Sequence, residues 1–195
     1  FEFKDMILEV CTGSIESVLA ARAGGAQRVE LCSALAEGGV TPSVGLMREA
    51  RKVEGIKLNV LIRPRGGDFL YTEEEVLIME ADVLAAREIG ADGVVIGALT
   101  KYGDVDVAVC QRLVTAAGDM SVTFHRAFDM VRDPRQALED VIALGCDRIL
   151  TSGMMPTAEE GVDNLRALVK AAKGRIVIMP GSGVSPENVA YIINR

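Results

Sequence analysis

Short apolar segments alternate with amphipathic segments along most of the chain. The apolar segments are five or six residues long and rich in Val, Ile and Leu, and several are apolar almost throughout. Such segments are typical of parallel strands that are covered on both faces. They predict seven strands: Met6–Cys11, Arg28–Cys32, Lys57–Ile62, Gly93–Gly97, Ser121–His125, Asp147–Thr151 and Arg175–Met179.

Local signals predict where the intervening helices begin and end. Ser14 opens the first helix, which is expected to stop near Gly24-Gly25, and Gly90 and Gly145 end two others. Two capping boxes and three cap-proline pairs predict further helix starts. These are Thr72–Glu75, Thr157–Glu160, Thr41-Pro42, Asp133-Pro134 and Ser185-Pro186.

One turn between helix and strand recurs at residues 23–29, 88–94 and 143–149, each with a Gly, a small residue and a polar residue before the strand. Seven such βα units predict an α/β fold of the (β/α)8 TIM-type barrel class, with the eighth strand absent from this chain. An open doubly wound sheet is the alternative, but Cys11–Ser14 lacks its dinucleotide fingerprint. We expect a single TIM-barrel-like domain over residues 1–195 that is incomplete at its C-terminal end.

The composition narrows the class of protein. The 195 residues carry a formal charge of −7, which argues against nucleic-acid and anionic-membrane binding, and 49% are apolar, which argues against disorder. No apolar run approaches the roughly 20 residues of a membrane span, and residues 1–5 do not resemble a signal peptide. Four widely separated cysteines do not form a disulfide framework, so we predict a cytoplasmic protein.

Paired cysteines and glutamates stand at the ends of the first two predicted strands. Glu9 and Cys11 share one face by the two-residue period of a strand, and so do Glu30 and Cys32. Neighbouring strands lie about 4.8 Å apart, so thiolates at matching heights could hold one soft cation. Two-coordinate thiolate ligation suits Cu(I), and a nearby glutamate could extend the site. Filling of the core by free cysteines is the alternative, and for Cys110 and Cys146 it is the favoured interpretation.

Ionisable groups at other strand ends suggest acid–base chemistry. His125 is the one histidine of the sequence and ends the fifth predicted strand, where it or Glu30 could move a proton. The alternative for His125 is a core histidine that is hydrogen-bonded to a neighbour. Arg126 and Asp129 follow it and could pair with one another as a structural clamp.

Two further segments suggest anion binding. Arg63 and Arg65 flank Pro64 before two glycines, and guanidinium groups bind carboxylate or phosphate with two parallel hydrogen bonds. Arg63 could instead neutralise Glu9 or Glu30. The loop that contains Gly181, Ser182 and Gly183 follows the seventh strand, where many barrels bind a phosphate.

Five runs of residues together resemble the copper homeostasis protein CutC family. They are residues 28–32, 37–43, 62–69, 123–129 and 148–153, and the similarity extends from about Met6 to Arg195. The resemblance implies a (β/α)8-like barrel, a cytosolic location with nuclear presence in animal members, a homo-oligomer and a link to copper. The family's proposed copper ligands match Cys11 and Cys32. Members usually continue through an eighth strand with a His and a Ser, which this sequence lacks.

Three hypotheses follow, and the first is that the protein binds copper, as Cu(I), through Cys11 and Cys32. The second is an enzyme for a small anionic or phosphorylated metabolite. In it, Arg63 and Arg65 would orient the substrate and the 181–183 loop would bind its phosphate. The third is an oligomeric scaffold without chemistry. The predicted partners are a copper ion, a small anionic ligand under the second hypothesis and further copies of the chain, with neither nucleic acid nor membrane among them.

Overall fold

The computed structural model of the chain describes residues 6–194. The prediction about residues 1–5 therefore lies outside the described residues, as does Arg195. The described part contains seven strands: β1 (Glu9–Thr12), β2 (Arg28–Leu31), β3 (Lys57–Leu61), β4 (Gly93–Ile96), β5 (Ser121–Phe124), β6 (Arg148–Thr151) and β7 (Val177–Pro180). Its α-helices are α1 (Ile15–Ala23), α2 (Val44–Arg51), α3 (Glu73–Ile89), α4 (Val107–Ala117), α5 (Pro134–Ala143), α6 (Val162–Ala172) and α7 (Val189–Ile193).

The fold class is the predicted one, α/β of the TIM type, with strands and helices alternating and no eighth strand among the described residues. Each predicted strand overlaps an observed one. β1 begins later than predicted because the main-chain N–H of Leu8 donates to the side-chain oxygen of Gln27, 2.8 Å away. That N–H is then not available to pair with a neighbouring strand. β7 is shifted towards the C-terminus because the main-chain N–H of Arg175 donates back to the Ala172 carbonyl at the end of α6, 3.0 Å away, and so does not pair with a strand.

Two predicted helix starts are confirmed in atomic detail. Ser14 caps α1 and forms a reciprocal capping box with Ser17. Asp133 caps α5 by accepting hydrogen bonds from the main-chain N–H groups of Arg135 and Gln136 at 3.0 and 3.2 Å. Both caps satisfy donors that the first turn of a helix leaves without a partner.

Three other predicted helix starts are wrong by two to four residues. Ser43 rather than Thr41 caps α2, because the Thr41 hydroxyl hydrogen-bonds with the main chain of Arg63 instead. At Thr157–Glu160 the Glu160 N–H donates to the Thr157 hydroxyl, and that hydroxyl donates to the Glu160 carboxylate, but the segment closes a turn and α6 begins only at Val162. Ser185-Pro186 likewise precedes a turn, and α7 begins at Val189.

The described residues divide into two compact units. The first comprises residues 6–68, Glu73–Val95 and Ala116–Ser121, and the second Phe69–Thr72, Ile96–Thr115 and residues 122–194. Within the first unit β1, β2 and β3 pair in parallel and in chain order, and β4 follows β3. Within the second unit β5, β6 and β7 pair in the same way.

The strands of the first unit separate apolar from polar residues by their alternation. Val29 and Leu31 on β2 are fully buried on one face. Arg28 and Glu30 point to the other face, where they are also buried. In the ladder Glu30 lies opposite Asn59 of β3, so polar groups meet across neighbouring strands. This face carries the candidate site of the first unit.

In the second unit the core is formed mainly by large apolar side chains. They include Phe124, Phe128, Leu138, Val141 and Ile149. A smaller apolar cluster joins Ala158, Val162, Leu165 and Ile192. No helix in the part of the chain that the structure describes is both long enough and apolar enough to cross a bilayer.

Candidate metal centre

Cys11, Glu30 and Cys32 come together at the ends of β1 and β2. One donor atom from each lies within 4.8 Å of the others. The two Sγ atoms are 3.6 Å apart, and the Cys32 thiol donates to a Glu30 carboxyl oxygen 3.3 Å away. Two sulfurs and one carboxyl oxygen at this spacing can reach a single metal ion, since bonds from zinc to thiolate sulfur are about 2.3 Å long.

The strands bring the sulfurs together by a route that the sequence did not predict. In the ladder Cys11 lies opposite Glu30, not opposite Cys32. Cys32 follows the last residue of β2, and its N–H donates to the Thr12 carbonyl at 2.9 Å, which extends the pairing by one step. The expectation of cysteines at matching heights is therefore wrong, although the prediction that their sulfurs meet holds.

The two thiols differ in their surroundings. Cys11 is exposed, whereas Cys32 is 1% exposed and packs with Leu61 and Val95. The main chain at Gly39 lies directly over Cys32, and a Cβ there would be 3.6 Å from the Sγ atom. One sulfur can therefore be approached from solvent, and the other is enclosed by the protein.

Burial and mutual contact shift the ionisation of all three groups. The hydrogen bond with Cys32 lowers the pKa of Cys11, against burial and the charges of Glu30 and Glu9. The contact with Cys11, then burial, raises the pKa of Cys32. Burial and the neighbouring Glu9 raise the pKa of Glu30 to about 7. Cys32 and Glu30 thus hold their protons more strongly than usual when no cation is present, whereas Cys11 loses its proton more readily.

Glu9 is held by an arginine that sequence reasoning overlooked. The Arg28 Nε donates to the Glu9 carboxylate, and the two residues are opposite one another in the ladder between β1 and β2. Both side chains are buried. The two-residue period from Glu30 places Arg28 on the same face, and this signal could have revealed it. The ion pair engages Glu9 and leaves Glu30 as the carboxyl group nearest the sulfurs.

Asn59 is a second residue that the sequence analysis missed. It lies opposite Glu30 in the ladder and is fully buried. Neither polar atom of its amide has a hydrogen-bond partner within the described part of the chain. It occupies space left by Gly93, where a Cβ would come within 2.5 Å of its Oδ1. A polar residue inside an otherwise apolar strand was the available signal.

The predicted anion-binding arginines of the first unit both donate to protein groups. Arg63 donates to the main-chain carbonyls of Gly39 and Gly67 at 2.9 and 2.8 Å and so joins two loops. Arg65 donates to the Glu75 carboxylate at 2.5 Å, and that contact raises the pKa of the arginine. Their role in anion binding stays a prediction.

His125 belongs to the second unit. It is buried, its Nδ1 accepts a hydrogen bond from the N–H of Ala127 at 3.1 Å, and its ring centroid lies 5.1 Å from that of Phe69. The imidazole fits only because Gly97 has no side chain, since a Cβ at that position would be 2.4 Å from the imidazole Cε1. These contacts fit the structural alternative, and an acid–base role stays a prediction.

Asp129, also in the second unit, is surrounded by donors. The Arg126 Nε donates to it at 2.8 Å, as the predicted clamp requires, and the Thr151 hydroxyl donates at 2.5 Å. Main-chain N–H groups of Ser152 and Met154 add hydrogen bonds of 3.1 Å. This carboxylate joins the end of β6 to the segment after β5.

The loop after β7 packs on the protein itself. The Ser182 hydroxyl donates to the Pro156 carbonyl at 2.9 Å, and Gly181 and Gly183 lie close to Leu150 and Thr157. A phosphate site in this loop stays a prediction.

Cys110 and Cys146, the other two cysteines, are buried. The prediction that they are core residues is confirmed, and burial raises the pKa of both thiols to about 12.

Comparisons with known proteins agree with one another. Residues 6–195 match the model of the CutC family. A CutC family protein of Chromobacterium violaceum is 56% identical over 186 residues, which are 95% of this chain and 75% of that protein. The human copper homeostasis protein cutC homolog is 49% identical over 187 residues, 96% of this chain and 68% of that protein. The crystal structure of a CutC protein from Streptococcus agalactiae superposes with a TM-score of 0.92 at 38% identity and covers 97% of this chain and 94% of that one.

Proposed function

The chain belongs to the CutC family, and from that premise we propose that it serves copper homeostasis by binding copper, as Cu(I), between Cys11 and Cys32. The observation that carries the proposal is the 3.6 Å separation of the two Sγ atoms. This contact depends on β1 and β2 ending beside one another.

The donor set suits a soft cation. Thiolates are the preferred protein ligands of Cu(I), and a protein that provides two of them disfavours hard cations such as Mg²⁺ and Ca²⁺. Glu30 lies beside Cys32 and offers an oxygen as a weaker third donor. We propose that the sulfurs hold the ion and that the carboxyl group adjusts its charge.

The different exposure of the thiols supports a direction of entry. Cu(I) arrives at exposed Cys11 and then gains Cys32, which Leu61, Val95 and the main chain at Gly39 shield from solvent. An enclosed second ligand slows dissociation, because the ion must return to Cys11 before it can leave.

A reducing compartment is implied by this chemistry. Free thiols in contact and a Cu(I) ion both persist only where oxidants are scarce. We therefore propose the cytosol as the location, with a nuclear fraction. Assembly of the chain into a homo-oligomer stays a prediction.

Competition with a chromophoric Cu(I) chelator under anaerobic conditions tests the proposal. We expect one Cu(I) per chain for the parent protein, and affinity at least 100-fold weaker for the Cys11→Ser, Cys32→Ser variant. The Cys110→Ala, Cys146→Ala variant is the matched control, because it also loses two cysteines but keeps the cluster, and it should bind like the parent. Circular dichroism spectra establish that each variant is folded.

Two results would overturn the proposal. One is parental Cu(I) affinity in the folded Cys11→Ser, Cys32→Ser variant. The other is displacement of Cu(I) from the parent protein by equimolar Zn²⁺, which would show that the cluster has no preference for a soft monovalent ion.

A further inference from the structure

The contact between Cys11 and Cys32 has a second chemical consequence that requires no metal. The sulfurs are 3.6 Å apart, and a disulfide has an S–S distance of about 2.05 Å. Both residues lie where the ladder ends, since Cys11 is next to last in β1 and Cys32 follows β2. Because the ladder places Cys11 opposite Glu30, two residues before Cys32, the two strand ends must shift along one another to bring the sulfurs to bonding distance.

We propose that Cys11 and Cys32 form a thiol–disulfide exchange centre that reduces low-molecular-weight disulfides of the glutathione type. Exchange through two protein thiols needs an accessible sulfur that attacks and a second sulfur, close behind it, that resolves the mixed disulfide. Cys11 is exposed and takes the first role, and Cys32 is buried 3.6 Å away and takes the second.

The reaction balances with the two thiols and one disulfide. The Cys11 sulfur attacks one sulfur of the small disulfide, forms a mixed disulfide and releases one small thiol, which carries the proton of Cys11. The Cys32 sulfur then attacks Cys11, forms the Cys11–Cys32 disulfide and releases the second small thiol with the proton of Cys32. The protein loses two electrons, and the small disulfide gains them.

The surroundings of the pair favour resolution over a lasting mixed disulfide. Cys32 is packed with Leu61 and Val95 and under the main chain at Gly39, so its sulfur stays beside Cys11. The remaining cysteines do not compete, because Cys110 and Cys146 are buried. A mixed disulfide on Cys11 thus meets Cys32 before any other thiol of the same chain.

Exchange and copper binding exclude one another, although exchange does not depend on the copper proposal. A disulfide has no thiolate left to donate, so oxidation removes both sulfur ligands at once. A small disulfide would then release Cu(I) from a protein that had bound it, and a small thiol would restore the site.

The test uses the full chain, fully reduced, freed of metal by a chelator and kept anaerobic. The probe is glutathione disulfide, and the products are trapped by alkylation and identified by mass spectrometry of peptides. We expect the parent to lose two thiols per chain and to yield one peptide pair cross-linked through Cys11 and Cys32. The Cys110→Ala, Cys146→Ala control should react at the parental rate.

The single variants assign the order of events. Cys32→Ala should stop at the first step and accumulate one glutathionyl group on Cys11. Cys11→Ala should lose thiols at least tenfold more slowly than the parent, because Cys32 is enclosed.

The proposal is overturned if Cys11→Ala reacts as fast as the parent or if the parent carries glutathione without forming the cross-link. Either result leaves the Cu(I) affinity of the reduced protein unchanged. A failure of exchange is therefore distinguishable from a failure of copper binding.

Discussion

Two buried carboxyl groups, Glu30 in the first unit and Asp129 in the second, differ in how fully the protein satisfies them. Asp129 accepts hydrogen bonds from an arginine, two hydroxyl groups and main-chain N–H groups. Glu30 accepts a hydrogen bond from the Cys32 thiol, which is a weak donor, and lies in the same cluster as Cys11.

The difference separates structural from chemical roles. A carboxylate surrounded by donors holds two segments of the chain together through its hydrogen bonds. Burial and the charge of Glu9 make Glu30 costly to ionise, and a cation that joins the cluster would offset that cost. The number of hydrogen bonds thus distinguishes Asp129, which links two segments of the scaffold, from Glu30, which lies in the candidate site.

Replacement of Asp129 by Ala should have the largest effect on stability. It leaves the Thr151 hydroxyl and buried main-chain donors without an acceptor, so we expect unfolding in urea to become about 3–5 kcal/mol easier. Asp119→Ala, at an exposed position, is the matched control and should change stability by less than about 0.5 kcal/mol. A loss below about 1 kcal/mol for Asp129→Ala would show that the hydrogen bonds of Asp129 do not stabilise the fold and that its role does not differ from that of Glu30 in this way.

Replacement of Glu30 by Gln should raise the free energy of unfolding, opposite to the effect of Asp129→Ala, and the size of the gain should depend on pH. The pKa of Glu30 is about 7 in the folded protein against an ordinary value of 4.5, so the folded state retains the proton as pH rises. Its contribution to stability is complete below pH 4.5 and is lost by about pH 7. Glu30→Gln keeps the neutral form, and we expect it to stabilise the metal-free protein by up to about 3 kcal/mol at pH 8.

Urea unfolding at pH 5 and pH 8, with reductant and chelator present, measures this difference between Glu30→Gln and the parent. The gain in the free energy of unfolding of Glu30→Gln over the parent should be small at pH 5 and large at pH 8. Equal gains at both pH values would show that burial does not hold the proton on Glu30.

Replacement of Asn59 by Leu tests the amide opposite Glu30, which has no hydrogen-bond partner among residues 6–194. A buried amide without a hydrogen-bond partner is unfavourable, and Leu has a similar volume, so we expect a gain of about 1 kcal/mol in the free energy of unfolding. Thermal unfolding of the metal-free variant measures it. A clear loss of stability would mean that an ordered water or a ligand satisfies Asn59.

Replacement of Arg126 by Ala should have the smallest effect. Its side chain is 41% exposed, and solvent screens its ion pair with Asp129. We expect unfolding to become about 0.5 kcal/mol easier, because Asp129 keeps its other donors. If Arg126→Ala lost as much stability as Asp129→Ala, the ion pair with Arg126 would be the main stabilising interaction of Asp129. The main-chain donors would then contribute little.

Much of the fold was predictable because strand and helix signals are local. The seven strands were located from short apolar runs, and Ser14 and Asp133 marked helix starts correctly. Thr41 failed as a cap because a distant residue, Arg63, occupied its hydroxyl. Capping motifs predict a helix start only where no tertiary partner competes for the same side chain.

The candidate site was predicted in part. The period of two placed Glu30 and Cys32 on one face, and the structure brings both to Cys11. Arg28 and Asn59 share that face but were missed, since buried polar residues in the middle of strands do not lie at strand ends, where chemistry was sought.

The alternation of strands and helices, the family and the residue types at the cluster could be read from the order of residues along the chain. The packed structure was needed to show that Cys11 lies opposite Glu30 in the ladder and still contacts Cys32. It was also needed to show that one thiol is exposed and the other enclosed, and that several donors surround Asp129. Register, burial and hydrogen-bond partners are relations between segments far apart in sequence, so they are defined only once those segments have packed.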